Sequence, residues 1–356
     1  KTDLDTATSL LSTRRLAGDP DLCDELASAA RTAWRRQART WIPRLDESSV
    51  RRHERAGEVA FMLEPELKEG QGGLRDVHLL RWLDLVEGGD GSLAATEVAE
   101  PHEVILQVRV ELHRQSGRSG DVLLLEQQDA IAAALGYEDA DVLMGAVASS
   151  ARLIAWHTDE VLTQSLDRIR RRRPKLRRSP VVVGGPGVTI SEGRVRLVDE
   201  HPVTPEAVLR LGAAAAHHDA RLAPTTISRL QNADIEVPDP WTPEIRKLFV
   251  DLLLAGHRAI PVVEAIDQLG LFVPFLPEWA PTRSRPQRNA YHRFTVDRHL
   301  WEAAAAAAKL VEQVDRPDLL LIGALLHDIG KGYPGDHTEV GMELIPTIAR
   351  RMGFPP

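Results

Sequence analysis

Cysteine is nearly absent from the chain: one residue, Cys23, in 356 leaves no means of forming an internal disulfide framework. A single thiol is typical of proteins in a reducing cytosol, and no signal-peptide pattern follows Lys1. We therefore expect a cytoplasmic protein. The chain also lacks an initiating methionine, which favours a sequence that begins within a longer protein.

Long apolar runs are missing as well. None approaches the roughly 18 residues that a membrane span requires, and the alanine-rich stretch at 301–311 is interrupted by Glu302 and Lys309. A hydrophobic content of 43% still allows sizeable cores, and 356 residues suffice for two or three domains. We expect a soluble protein without a membrane partner.

The chain has no overall excess of positive charge. Its 44 Lys and Arg residues against 52 Asp and Glu residues give a formal net charge of −8, which argues against a nucleic-acid-binding protein. Nucleotides bound through a metal stay compatible with that charge. The one basic run, eight basic residues in positions 168–178, is interpreted as a solvated linker or inter-domain surface, with docking to an acidic partner as the alternative.

The pattern of apolar residues predicts a mainly α fold. Residues 1–56 and 86–175 have helical periodicity, and Asp19-Pro20 marks a helix start. The short apolar run 59–63 predicts a strand, a small β element ahead of the glycine-rich segment that follows it. Short β-prone segments punctuated by glycine at 181–198 predict a β insertion between helices.

Residues 319–341 contain the clearest chemical signal. An apolar helical run ends in His327 and Asp328, and Lys331 follows between two glycines. Adjacent imidazole and carboxylate side chains can face one divalent cation. A second histidine, His299, lies 28 positions earlier on a predicted helix, about 296–314, which would lie beside the first.

The combination of His299 with the HDIGKG string resembles the HD-domain phosphohydrolase family. The resemblance implies that His299, His327 and Asp328 bind a divalent metal, Mg²⁺ or Mn²⁺ with iron as the alternative. It also implies a fourth ligand, an aspartate, expected beyond Pro356, so that the HD domain at 286–356 would be truncated and all-helical.

Three further residues belong to this predicted site. Lys331 would contact a substrate phosphate as a point charge. His337 would donate to a leaving oxygen or support the ligands. His292 is a weaker candidate, and a structural histidine is an equal alternative.

A second motif, EPELKEGQGGLRD, occupies residues 64–76. Its glycines allow backbone amides to approach a phosphate closely, although an ordinary turn is the alternative. The predicted nucleotide or phosphate loop consists of Glu64, Glu66, Lys68, Gly70, Gly72, Gly73 and Arg75. Glu64 or Glu66 is a candidate third carboxylate of a transferase site.

This motif closely resembles one in the family of PII uridylyltransferase/uridylyl-removing enzymes, and the HD motif follows it in the order found in that family. The resemblance implies that UMP is transferred from UTP to a tyrosine of the PII nitrogen-signalling protein and hydrolysed off by the HD domain. Similar relatives transfer AMP, which would make ATP the donor. No Gly-Ser element with paired transferase aspartates occurs here. The resemblance also implies glutamine sensing through C-terminal domains, which we expect to lie outside this sequence.

The same resemblance implies four segments: the end of a nucleotidyltransferase domain at 1–85, a helical domain at 86–175, a β insertion with a helical connector at 176–285, and the HD domain at 286–356. Two alternatives to the enzyme stay open. A degenerate HD domain would only bind PII, and an HD phosphohydrolase could act on free nucleotides, although the 64–76 motif counts against the latter.

Overall fold

The computed structural model describes residues 3–92, 96–171, 182–287 and 294–354. The chain forms two compact units, Lys1–Lys175 and Leu176–Pro356. His292 and most of the basic run at 168–178 lie outside the described residues. The finer division into four segments stays a prediction.

The regular elements described in the first unit are helices, as predicted for residues 1–56 and 86–175. Asp19 caps α2 by accepting a hydrogen bond from the Asp21 amide, and Pro20 occupies the first turn, which confirms the predicted helix start. The helices are α1 Leu4–Leu11, α2 Pro20–Arg36, α3 Ala38–Ala56, α4 Leu74–Glu87, α5 Ala99–Ser116, α6 Leu125–Leu135 and α7 Ala140–Arg171.

Tryptophans form part of the core of this unit. The rings of Trp34 on α2 and Trp41 on α3 stack with centroids 5.6 Å apart. The indole N–H of Trp34 donates to the carbonyl oxygen of Trp82 at 2.9 Å, so this buried ring leaves no unsatisfied donor. Leu83 of α4 is fully buried in the same cluster. These contacts hold α4, which begins directly after the 64–76 motif, against α2 and α3.

The strand predicted at 59–63 is wrong, because this segment forms turns. Three consecutive residues, Val59, Ala60 and Phe61, are all buried, whereas a strand with one face in solvent would alternate. The Phe61 amide donates to the Glu58 carbonyl at 3.3 Å across a turn. Only isolated bridges, Glu58 with Gln71 and Glu66 with Val122, are described here.

The second unit begins with the predicted β insertion. Its strands are β1 Val182–Val183, β2 Val188–Ser191, β3 Arg194–Leu197 and β4 Arg221–Leu222. They form one sheet in the order β1-β2-β3-β4, in which β4 pairs parallel to β3 and the other pairs are antiparallel.

Helices complete this unit and bring the predicted metal ligands together. The α-helices are α8 Pro205–His217, α9 Pro224–Gln231, α10 Pro243–Leu254, α11 Ala259–Gln268, α12 Val296–Ala307, α13 Pro317–Leu326 and α14 His337–Arg351. The helix predicted over 296–314 is α-helical to Ala307 and continues as 3₁₀ turns to Gln313. Trp301 anchors α12, packing on Phe272 and Trp279 with ring centroids 5.5 and 5.8 Å apart. Within the described ranges, no helix combines the length and apolar character needed to cross a membrane.

A histidine in α4 makes the stability of the first unit depend on pH. Burial of His78, together with the charges of Arg75 and Arg81, lowers the pKa of its imidazole from 6.5 to about 4. The unfolded chain therefore binds one more proton than the folded chain between these values, and the free energy of unfolding falls as the pH falls from about 6.5 to about 4.

We expect His78→Gln to remove this dependence. At about 1.4 kcal/mol per pH unit the full effect would be about 3 kcal/mol, and solvent screening of the partly exposed ring reduces it to about 1–2 kcal/mol. Urea unfolding of both proteins at pH 7 and pH 4.5 measures the difference. Equal losses of stability in the two proteins would contradict this interpretation.

Candidate metal centre

The end of α13 delivers two of the predicted ligands. Leu321 and Leu325 on this helix are fully buried, which fixes its rotation against the rest of the unit. The helix ends at Leu326, so His327 is its C-cap, and Asp328 precedes the 3₁₀ turn Ile329–Gly332. The apolar face therefore determines where the two polar side chains emerge.

His299 approaches the same point from the first turn of α12. Its Nε2 lies 3.2 Å from Nε2 of His327 and 3.4 Å from Oδ2 of Asp328, and the latter two atoms are 3.3 Å apart. Ligands about 2.1 Å from one cation are separated by about 3.0–3.4 Å in octahedral or tetrahedral geometry. The three side chains thus fit a metal ion, and they are the one such group within the described part of the chain.

A backbone contact orients His327. Its Nδ1 lies 2.8 Å from the carbonyl oxygen of Ala324, and since a carbonyl only accepts, Nδ1 carries the proton. This tautomer directs the lone pair of Nε2 toward His299 and Asp328. A metal-ligating histidine commonly makes such a second contact.

Lys331 keeps Asp328 ionised. Burial by itself would raise the pKa of the Asp328 carboxyl, but the hydrogen bond and charge of Lys331 outweigh it, so the pKa lies below its usual range. The Nζ atom of Lys331 is 2.7 Å from Oδ2 of Asp328 and 3.0 Å from Oε1 of Gln287. The carboxylate is therefore negative, and able to bind a cation, at neutral pH.

Close packing explains the glycines that flank Lys331. A Cβ atom on Gly330 would lie 2.1 Å from the carbonyl oxygen of His337, and one on Gly332 would lie 2.9 Å from Cγ2 of Thr282. The turn that carries Lys331 is thus pressed against α14 on one side and against the 3₁₀ helix Pro277–Thr282 on the other. A larger residue at position 330 would have to displace backbone.

The predicted site residues separate into two groups. His299, His327, Asp328 and Lys331 lie together. His337 is exposed in the first turn of α14 and is not one of the clustered ligands, so its role stays a prediction. Sequence reasoning missed Gln287, which contacts Lys331 although the two are 44 residues apart in the chain. No sequence motif around Gln287 indicates this contact.

In the first unit, internal contacts hold the 64–76 loop. The Gly70 and Gly73 amides donate to the carbonyls of Glu66 and Gly70, and the Gly72 amide donates to Oδ2 of Asp76 at 2.7 Å. These glycine amides are engaged within the loop itself, and their predicted approach to a phosphate stays a prediction. A Cβ atom on Gly72, which has φ +83°, would lie 2.3 Å from the Ala151 carbonyl oxygen, so close approach to α7 explains this glycine.

The charged residues of the loop are also paired. Glu64 accepts a hydrogen bond from the Leu125 amide at 2.9 Å, and Glu66 accepts one from the Gly70 amide at 3.0 Å. Burial raises the pKa of the Glu66 carboxyl, against the lowering effect of its backbone hydrogen bonds. Lys68 lies 3.6 Å from Asp121, and Arg75 lies 3.2 Å from Glu69.

Asp121, which follows α5, gathers basic side chains around this loop. Its carboxylate accepts hydrogen bonds from Arg109 at 2.7 Å and His113 at 2.9 Å. Its backbone carbonyl accepts from the Leu67 amide at 2.8 Å. His113 is thus a satisfied polar residue. These contacts attach the loop to the α5–α6 connection, and a role of the loop in binding a nucleotide stays a prediction.

Two known families match the chain. The family described as GlnD PII-uridylyltransferase matches residues 42–162, and the HD domain family matches residues 296–354. The first range contains the 64–76 motif, and the second contains His299, His327 and Asp328. Both resemblances stated from the motifs are confirmed.

Curated relatives match across nearly the whole chain. The bifunctional uridylyltransferase/uridylyl-removing enzyme of Streptomyces coelicolor is 41% identical over 99% of this chain and 44% of the relative. That of Mycobacterium tuberculosis is 39% identical over 99% of this chain and 45% of the relative. The enzyme of Corynebacterium glutamicum is 33% identical over 99% of this chain and 50% of the relative. The chain thus spans about half the length of these relatives. No solved structure matches.

Proposed function

Because the chain belongs to the family of bifunctional uridylyltransferase/uridylyl-removing enzymes, we propose that its second unit hydrolyses the nucleotidyl group from a tyrosine of the PII signalling protein. The observation that carries this proposal is the convergence of His299, His327 and Asp328 within 3.4 Å of one another. The three ligands present in this chain lie together, which counts against the alternative of a degenerate HD domain that only binds PII.

The side chains of the site have distinct tasks in this proposal. His299, His327 and Asp328 would hold a divalent cation, Mg²⁺ or Mn²⁺. When bound, this cation would supply the Lewis acidity needed to activate water and to stabilise charge on phosphoryl oxygens. Lys331 donates to a non-bridging oxygen of the phosphodiester as a point charge.

The proposed hydrolysis needs only modified PII and water as reactants. The oxygen of water bonds to phosphorus and releases a proton to solvent, the bond between phosphorus and the tyrosyl oxygen breaks, and free nucleotide and an unmodified tyrosine result. The tyrosyl oxygen must receive a proton as it leaves. His337, exposed at the start of α14, is the proposed donor.

The first unit supplies part of the transferase half, as its match to the uridylyltransferase family supports. In this proposal UTP donates UMP to PII in the cytoplasm, and glutamine regulates the balance of transfer and removal through other parts of the protein. The 64–76 loop would support the nucleotide site through Glu64 or Glu66, Lys68 and Arg75. A donor role for ATP is the alternative.

Metal removal tests the hydrolase. Full-length protein is incubated with uridylylated PII, and mass spectrometry follows the loss of the nucleotide. We expect chelation by EDTA to lower the rate at least about 100-fold, since metal catalysis supplies several kcal/mol, and added Mn²⁺ to restore it. Adenylylated PII as a parallel substrate identifies the base. An unchanged rate after chelation would refute the proposal.

A further inference from the structure

We propose that Gln287 is a positioning residue that keeps Lys331 directed at the phosphodiester when Asp328 is engaged with the metal. This inference rests on the proposed hydrolysis and assigns a role to a residue outside the motif. The contacts of the segment 284–287 with α12 and with the 3₁₀ turn Ile329–Gly332 support it.

The backbone that carries Gln287 is fixed on two sides. The Ser284 amide donates to Oδ2 of Asp297 at 2.9 Å, and that carboxylate is buried in the first turn of α12. The Val296 amide donates to the Arg285 carbonyl at 2.9 Å. The Arg285 guanidinium in turn donates to the Gly332 carbonyl at 3.0 Å. The segment therefore connects the helix of His299 to the turn of Lys331.

Both the nitrogen and the oxygen of the Gln287 side-chain amide form hydrogen bonds. Its Nε2 donates to the Phe294 carbonyl at 3.1 Å, and its Oε1 accepts from Nζ of Lys331 at 3.0 Å. Because a carbonyl oxygen only accepts, the contact with Phe294 determines which end of the amide faces Lys331. The side chain thus presents a fixed acceptor to the ammonium group.

Gln287 offers Lys331 an acceptor that is neutral and separate from the proposed metal ligands. Lys331 bonds to Oδ2 of Asp328, the same oxygen that faces the two histidines. A cation held by Asp328 would compete for this oxygen and would repel the ammonium. The contact with Gln287 does not depend on that oxygen, so it holds Lys331 at the edge of the site. Because Gln287 is neutral, this contact adds no negative charge that would oppose binding of a phosphodiester anion.

A double-mutant cycle tests the inference in the full-length protein. We expect Gln287→Leu to lower kcat for nucleotide release about tenfold, with a smaller change in KM. Lys331→Ala is expected to lower it further, and the double variant should be no slower than Lys331→Ala, because Gln287 acts through Lys331. Gln268→Leu, which removes a glutamine bonded to Glu264 within α11, is the matched control and should retain the parental rate.

Lysine acetylation provides a readout that does not need activity. In protein saturated with Mn²⁺, where Asp328 would be engaged by the metal, mass spectrometry should show Lys331 acetylated several times faster in Gln287→Leu than in the parent, while Lys309, exposed after α12, is unchanged. Parental kcat and parental labelling in Gln287→Leu would overturn the inference, as would additive losses in the double variant. Failure of the proposed function would give a different result from failure of this inference. In that case the parent protein would release nucleotide at the same rate without metal.

Discussion

Replacing His327 and Asp328 together by alanine should lower the metal-dependent release of nucleotide from modified PII at least about a thousandfold. The change removes two of three clustered ligands, and metal catalysis worth several kcal/mol corresponds to this loss. The Asp328 carboxylate is also the one negative ligand in the cluster. Mass spectrometry of uridylylated PII incubated with full-length protein gives the rate.

The matched control is His218→Ala. His218 is an exposed residue of the second unit at the C-cap of α8, and its loss should leave the rate unchanged. Transfer of UMP to PII by the double variant should continue, which would show that the protein is folded. A double variant that removes the nucleotide at the parental rate would exclude hydrolysis at this cluster.

Asp76→Ala should destabilise the first unit by about 3–5 kcal/mol, the usual result of removing one partner from a buried ion pair. The fully buried carboxylate accepts hydrogen bonds from Arg52 at 2.5 Å, His53 at 3.0 Å and the Gly72 amide. Burial alone would raise the pKa of Asp76, but His53 and Arg52 outweigh it and hold the pKa below its usual value. Without the carboxylate, Arg52 is left largely buried and without its strongest partner.

Native-state hydrogen exchange measures this effect within each unit. Peptides from α3 and α4 should exchange faster in Asp76→Ala, whereas peptides from α12 and α13 provide an internal reference. Asp24→Ala, at an exposed position on α2, should change stability by less than about 0.5 kcal/mol. Unchanged protection of α3 and α4 in Asp76→Ala would show that this carboxylate is not a structural anchor.

The clustering of His299, His327 and Asp328 could be predicted from the sequence because two local patterns specify it. An apolar helix that ends in His327 and Asp328, and a second helix that begins near His299, leave few ways to arrange these residues. The shared site then follows from packing of the two helices. Lys331 is indicated by its place in the glycine-bounded segment that directly follows His327 and Asp328.

Other features depend on burial and on distant contacts, which residue patterns do not encode. Asp76 ends the EPELKEGQGGLRD motif, but nothing local shows that it is buried beneath the loop that the motif forms. The glycines of that loop suggest exposed amides, whereas Gly72 is required by its approach to Ala151. Gln287 meets Lys331 only after the chain has folded back across 44 residues.

Stoichiometric metal binding tests the central claim most directly. Metal-free protein is titrated with Mn²⁺ by calorimetry, with His299→Ala and Asp328→Ala as the variants that each remove one ligand. We predict that the parent binds one ion per chain. Each variant should lose this binding or show an affinity at least about tenfold lower. Absence of saturable binding in the parent, or equal binding in all three proteins, would contradict a metal centre formed by His299, His327 and Asp328.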